Sequence, residues 1–114
     1  MVILRTTTGD MGVLPGHETY FCVLDYGALR MLDGSIEYKI AVFGGIAEIG
    51  EDILTIQTSE AQWPEDIDRA RSEAIREHLE RKIQEKTDDL ELLNDQARLR
   101  RALVRIEVSG HTSD

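Results

Sequence analysis

Apolar residues recur along the chain in two different rhythms, and the change of rhythm falls at Trp63-Pro64. Before it the apolar runs are short and separated by turn formers. Val2-Ile3-Leu4 leads into the glycine-rich stretch Gly9-Asp10-Met11-Gly12-Val13-Leu14-Pro15-Gly16-His17. Tyr20 to Leu24 and Ala28 to Leu32 follow, parted by Asp25-Tyr26-Gly27. Asp33-Gly34 is a dipeptide favoured in two-residue hairpin turns, because both central positions need positive φ. After it Ile36, Tyr38, Ile40 and Val42 alternate with Glu37, Lys39, Ala41 and Phe43, the period of two that marks a strand with one buried face. Gly44-Gly45 breaks that run, Ile46 to Ile49 resumes it, Gly50-Glu51-Asp52 turns, and Ile53 to Ile56 closes the series. Short strands at regular spacing with turn signals between them predict an antiparallel β-sandwich or barrel.

Beyond Trp63 the rhythm is helical. Pro64 suits a first helical position, where its missing N–H costs nothing. Glu65, Asp66 and Asp68 then put negative charge at the positive end of the helix dipole. Ile67, Ala70, Ala74, Ile75, His78, Leu79 and Ile83 follow at three- and four-residue steps, one apolar stripe on a charged rod. A second stripe, Leu90, Leu93, Ala97 and Val104, is flanked by Leu92, Leu99, Leu103 and Ile106. No glycine or proline occurs from Glu65 to Ser109. The two stripes therefore fit either one long helix or a hairpin of two. Lys86-Thr87-Asp88-Asp89 is the favoured break, with Asp88 as a cap and Glu91 at its third position. Thr and Asp are only weak helix formers, so an unbroken rod is also allowed. A segment in that condition is a candidate switch.

Composition adjusts this picture in a few places. The net charge of −9 argues against a general nucleic-acid binder, which needs a positive field to capture phosphates. A single cysteine, Cys22, excludes an intramolecular disulfide, and its apolar neighbours suggest a small buried side chain. With three scattered histidines it makes no zinc set. No apolar stretch approaches the roughly 20 residues of a membrane-spanning helix. No signal-peptide pattern opens the chain, so a soluble protein in a reducing compartment is expected.

The glycine-rich stretch lacks the Lys-Ser/Thr that must follow the last glycine of a phosphate-binding loop, and it precedes a strand-like run rather than a helix. A tight turn between strands is the better reading, and His17 has no second histidine or cysteine nearby. Near the other end, Arg98-Leu99-Arg100-Arg101-Ala102-Leu103-Val104-Arg105 carries four arginines and no acid. Such a run is either a solvated helix end favoured by the dipole or a surface for an acidic partner or anionic ligand. No paired-carboxylate site, activated nucleophile or metal cluster is visible, so the residues themselves indicate a non-enzymatic interaction module.

The motifs Arg5-Thr6-Thr7-Thr8-Gly9-Asp10-Met11-Gly12-Val13-Leu14-Pro15-Gly16-His17, Gly44-Gly45-Ile46-Ala47-Glu48-Ile49 and Arg100-Arg101-Ala102-Leu103-Val104-Arg105-Ile106-Glu107-Val108, in that order and spacing, resemble the epsilon subunit of the F-type ATP synthase. The resemblance implies an N-terminal β-sandwich, residues 1–62, then a helical hairpin, 63–108, and a flexible tail, 109–114. It implies a non-catalytic central-stalk rotor subunit on the cytoplasmic face of the bacterial inner membrane, touching the membrane only through the complex. The sandwich would bind the gamma subunit and rest on the c-ring, with Asp10, Met11 and His17 in the ring-facing loop. The helices would lie folded or extend along gamma into the alpha/beta catalytic head. There Arg98, Arg100, Arg101 and Arg105 would make inhibitory contacts with acidic segments.

Some bacterial relatives bind regulatory ATP through a motif of the form Ile/Leu-Asp-x-x-Arg-Ala. Ile67-Asp68-Arg69-Ala70-Arg71-Ser72 matches all but the final alanine. Arg101 and Arg105 fall where those relatives place phosphate-contacting arginines, whereas Gln62 and His78 replace an acid and an arginine. Ile67, Asp68, Arg71, Arg101 and Arg105 are thus the candidate regulatory-ATP residues, and no cofactor is otherwise required. Members of the family usually carry further strands before the segment matching Val2-Ile3-Leu4, so the sandwich is expected to lack its first strand or two. A free-standing β-sandwich/coiled-coil interaction module is the alternative.

Overall fold

The computed structural model describes residues 1–14, 16, 18–85 and 88–110. Six strands come first: β1 (Val2–Thr6), β2 (Gly9–Val13), β3 (Tyr20–Asp33), β4 (Ile36–Ile49), β5 (Leu54–Gln57) and β6 (Ala61–Gln62). They form one antiparallel sheet in the order β2-β1-β3-β4-β5, with β6 also on β4. A single 3₁₀ turn (Pro64–Asp66) leads to α1 (Arg69–Glu85) and α2 (Asp89–Ser109), which pack as an antiparallel hairpin.

Two expected breaks turn out to be bends within long strands. Asp25-Tyr26-Gly27 and Gly44-Gly45 lie inside β3 and β4, each of 14 residues, whose mutual register is the same on either side. The bend re-phases the side chains. Leu24 and Leu29 are an odd number of positions apart and belong on opposite faces of a regular strand. Both nevertheless lie in the core with Leu4, Val13, Val42, Ala47 and Ile49. The cause is visible on β1: between Ile3↔Arg30 and Thr6↔Leu24, three steps along β1 answer to six along β3. An odd excess in a bulge swaps the face that points inward. Gly44 (φ +80°) and Gly45 (φ +124°) supply the matching bend on β4. Thus one sheet folds over its own apolar face.

The expected single buried face of β4 holds only in part. Ile40 and Val42 point into the sandwich, but Ala41 and Phe43 are buried on the other side, in a second cluster with Ala28, Val104 and Val108. That cluster is where α2 lies on the sheet. Each fully buried valine there contributes about 2 kcal/mol. Ile36 and Tyr38, on the same face as Ile40 and Val42 but at the turn end of the strand, are exposed.

The helix starts later than Pro64. Ile67 is extended (φ −97°, ψ 126°) and packs against the cluster under α2. Asp68 then caps α1, its Oδ1 accepting the Arg71 N–H at 3.1 Å. At the far end Asp88 caps α2 through the Glu91 N–H at 2.8 Å, as the sequence suggests. Lys86 and Thr87, at the expected break, lie outside the described residues. The buried stripe of α1 is shifted as well, running through Ser72 and Leu79 while Ala70, Ala74 and His78 are exposed. On α2, Ala102, Val104 and Val108 are buried, whereas Leu90 (79%) and Leu93 (64%) face solvent. Between the helices Asp95, 2% exposed, meets Lys82 Nζ at 3.4 Å, and Lys82 also meets Glu91 at 2.8 Å. The hydrogen bond to Glu91 leads the effects that raise the Lys82 pKa, against desolvation.

The glycine-rich stretch is no loop over its first half. Gly9 to Val13 form edge strand β2, because buried Thr6 ties the hairpin with its Oγ1, donating to the Gly9 carbonyl at 2.6 Å and accepting the Thr8 N–H at 3.2 Å. Cys22 is half-buried against the sandwich core rather than fully enclosed, and desolvation raises its pKa.

Candidate functional site

The arginine run and the sheet meet in one cluster. Arg101 and Arg105 are four apart, so both project from the same side of α2. Arg105 donates from Nη2 to Glu60 Oε1 at 2.6 Å and from Nε to Gln62 Oε1 at 2.7 Å. Arg101 donates from Nη1 to the other oxygen of Glu60 and from Nη2 to the Tyr26 hydroxyl at 3.4 Å. Arg100 reaches Asp25 Oδ1 at 2.5 Å. Arg98 points elsewhere, toward Asp95 at 3.6 Å.

Two aromatic rings form the floor. Tyr26 and Phe43 meet edge to face at 5.9 Å. Arg100 lies 5.0 Å and Arg101 5.3 Å from the centre of Tyr26, and Arg105 lies 4.8 Å from that of Phe43. A guanidinium over an aromatic face is attracted by its quadrupole and keeps its in-plane N–H groups free to bond carboxylates. The hydrogen bond that Arg101 donates to Tyr26, and secondarily the one to Glu60, raises its pKa against desolvation. For Asp25, desolvation acts upward. The Tyr26 N–H, the Arg100 hydrogen bond and the charges of Arg100 and Arg5 outweigh it, so the carboxyl sits below its ordinary range.

The sequence made the arginine run a cationic surface; the structure pairs three of its four arginines with acids of the sandwich. Glu60, Asp25, Tyr26 and Phe43 are the members that sequence reasoning missed. Glu60 and Arg105 are 45 positions apart, and no local pattern announces their contact.

Beside the cluster, Gln62, Asp66, Asp68, Arg71, Ser72, Ile75 and Arg105 line an open cleft of about 280 Å³. Of the expected nucleotide residues, Asp68, Arg71 and Arg105 come together there. Ile67 instead packs under α2, and Arg101 is tied to Glu60. Of the residues expected to face a ring, Asp10 is exposed on β2 within 3.5 Å of Arg5, and Met11 packs partly on the core. His17 lies outside the described residues. Among the described residues no group of three or more His, Cys, Asp or Glu is placed to hold a metal, and no helix is long and apolar enough to cross a membrane.

The fold is thus a β-sandwich bearing an antiparallel helical hairpin, three of whose arginines are engaged by acids of the sandwich. The family described as ATP synthase, Delta/Epsilon chain, beta-sandwich domain matches residues 1–64. The ATP synthase epsilon chain of Caldicellulosiruptor saccharolyticus is 34% identical over 108 residues, 95% of this chain and 79% of that protein. That of Bacillus subtilis is 38% identical over 111 residues, 96% of this chain and 83% of its own. A chain in the cryo-EM structure of the Euglena gracilis mitochondrial ATP synthase, OSCP/F1/c-ring, superposes with a TM-score of 0.81 at 28% identity, covering 96% of this chain and 69% of that one. The chain belongs to the epsilon-chain family of the ATP synthase.

Proposed function

We propose that this chain is a non-catalytic central-stalk rotor subunit of a proton-translocating ATP synthase. Its sandwich joins the gamma subunit to the c-ring, and its helices restrain ATP hydrolysis in the alpha/beta head. The observation that carries this reading is the likeness, over sandwich and hairpin together, to a chain of the Euglena gracilis OSCP/F1/c-ring assembly. The restraint is supported by the way α2 is held, through a small apolar contact and ion pairs that solvent reaches. Such a contact can be exchanged for another. Asp10 and Met11 on β2 are the ring-facing residues of this reading. The subunit sits peripherally on the cytoplasmic face of the bacterial inner membrane. Co-expressed with the gamma subunit of its own synthase, the tagged full chain is expected to retain gamma through size-exclusion chromatography. Separate elution of the two at micromolar concentration overturns the reading.

A regulatory nucleotide site is favoured by the cleft beside α2. Arg71 and Arg105 offer phosphate oxygens two planar donors, and Asp68 offers an acceptor to an amino group. Calorimetry is expected to give ATP binding that weakens about tenfold in Arg105→Ala, the loss of one charge-assisted contact. An absence of heat at millimolar ATP with the unaltered chain rejects the site.

A further inference from the structure

Glu60 serves two cations with one carboxylate. Its Oε1 takes Arg105 and its Oε2 takes Arg101, so each oxygen is engaged by a different guanidinium. The backbone that presents it is braced: Thr58 Oγ1 donates to the Glu60 carbonyl at 3.1 Å, and that carbonyl also accepts the Phe43 N–H at 3.2 Å. Phe43 lies beneath Arg105, so acid, ring and arginine form one unit joining the β5–β6 connection, β4 and α2. Two positive charges against one negative leave a unit of positive charge uncompensated by Glu60. Gln62 contributes only a neutral oxygen. Arg105 belongs to this unit and also lines the neighbouring cleft with Arg71. One side chain therefore connects the docking of α2 to the occupancy of the cleft.

We propose that Glu60 is an internal counter-anion that latches α2 onto the sandwich, so that a phosphate group in the cleft draws Arg105 only in competition with it. The regulatory part of this proposal rests on the helix-release and nucleotide readings above; the latch rests on the pairing itself. Neutralising Glu60 should loosen α2 and free Arg105 for phosphate. Asp25 is the internal comparator, since it holds a single arginine, Arg100, and its partner is about half exposed.

The test uses the full chain with Glu60→Gln, which keeps the side chain's shape and removes its charge. Amide hydrogen exchange between Ala102 and Val108, without ligand, is expected to quicken about tenfold, the scale of a lost charge-assisted bond screened by solvent. Asp25→Asn should change it less than about threefold, as an exposed pair does. ATP, measured by calorimetry, should bind about fivefold tighter to Glu60→Gln than to the unaltered chain, the scale of one freed charge-assisted contact. Unchanged exchange in α2 overturns the latch. So does equal acceleration of the core amides of Leu4 and Ile49, which would make Glu60 a general stabiliser. Faster exchange confined to α2, with no ATP bound by either protein, supports the latch and rejects the nucleotide cleft.

Discussion

Gly45→Ala is expected to lower the melting temperature by roughly 10 to 20 °C, whereas Gly34→Ala costs only a few degrees. Gly45 has φ +124°, a conformation that side chains resist at about 1–3 kcal/mol. A Cβ there would also lie 2.1 Å from the Gln57 carbonyl oxygen and 3.1 Å from Thr58 Cα. These are backbone atoms at the end of the neighbouring strand β5 and cannot swing aside. Relief requires moving β5 off the ladder that pairs Ile46 with Gln57. Strain and displacement together come to about 3 kcal/mol or more. Gly34, in the β3–β4 turn at φ +61°, would meet nothing within 4 Å, so its substitution costs only about 1 kcal/mol of backbone preference. Thermal unfolding followed by circular dichroism compares the two. Equal losses would mean that the bend at Gly44-Gly45 is dispensable.

That bend also marks where local pattern stops informing on this fold. The change of rhythm at Trp63-Pro64 and the Asp88 cap are set by nearest neighbours and are found, whereas the hairpin turn falls one residue later than Asp33-Gly34, at Gly34-Ser35, with Asp33 still paired to Ile36. Asp25-Tyr26-Gly27 and Gly44-Gly45 look like loop ends for the same local reason. They instead face each other across one ladder, and pairing with a neighbour outweighs turn propensity. Gly9 to Val13 lacks the β-branched alternation of a strand and becomes one through its partner β1. Pro64 begins a turn rather than α1 because Ile67 drops into the cluster under α2, and the helix waits for the Asp68 cap. The folded hairpin is likewise selected by the apolar contact with the sheet, which neither stripe displays alone.

The site divides along the same line. Four arginines without an acid between them are legible as a cationic row, because helical spacing is local. What they bind is not, since Asp25 comes from the bend within β3 and Glu60 from the β5–β6 connection, both far away in the sequence. Charge composition even misdirects: an acidic chain with one basic run suggests an outside partner, whereas part of the acid that run meets is internal. A folded chain thus satisfies its own arginines, and an external anion has to compete.

Removing residues 63–114 from the subunit of a reassembled ATP synthase is expected to raise ATP hydrolysis while leaving gamma bound. The sandwich has its own core, formed by Leu4, Val13, Leu24, Leu29, Val42, Ala47 and Ile49, with no helical residue in it. The helices touch the sheet through a separate cluster, so their loss exposes Ala28, Ala41 and Phe43 without opening that core. Restraint in the proposed function requires α2 to leave this cluster and the Glu60 and Asp25 pairs. A complex without the helices has no such state. Its hydrolysis should then exceed that of the intact complex by the reciprocal of the unrestrained fraction, roughly tenfold if nine-tenths of intact complexes are held. The measurement is steady-state hydrolysis at equal complex concentration, with gamma retention checked by electrophoresis of the purified assembly. Unchanged hydrolysis with gamma retained would remove the helices from regulation and leave the sandwich a purely mechanical link.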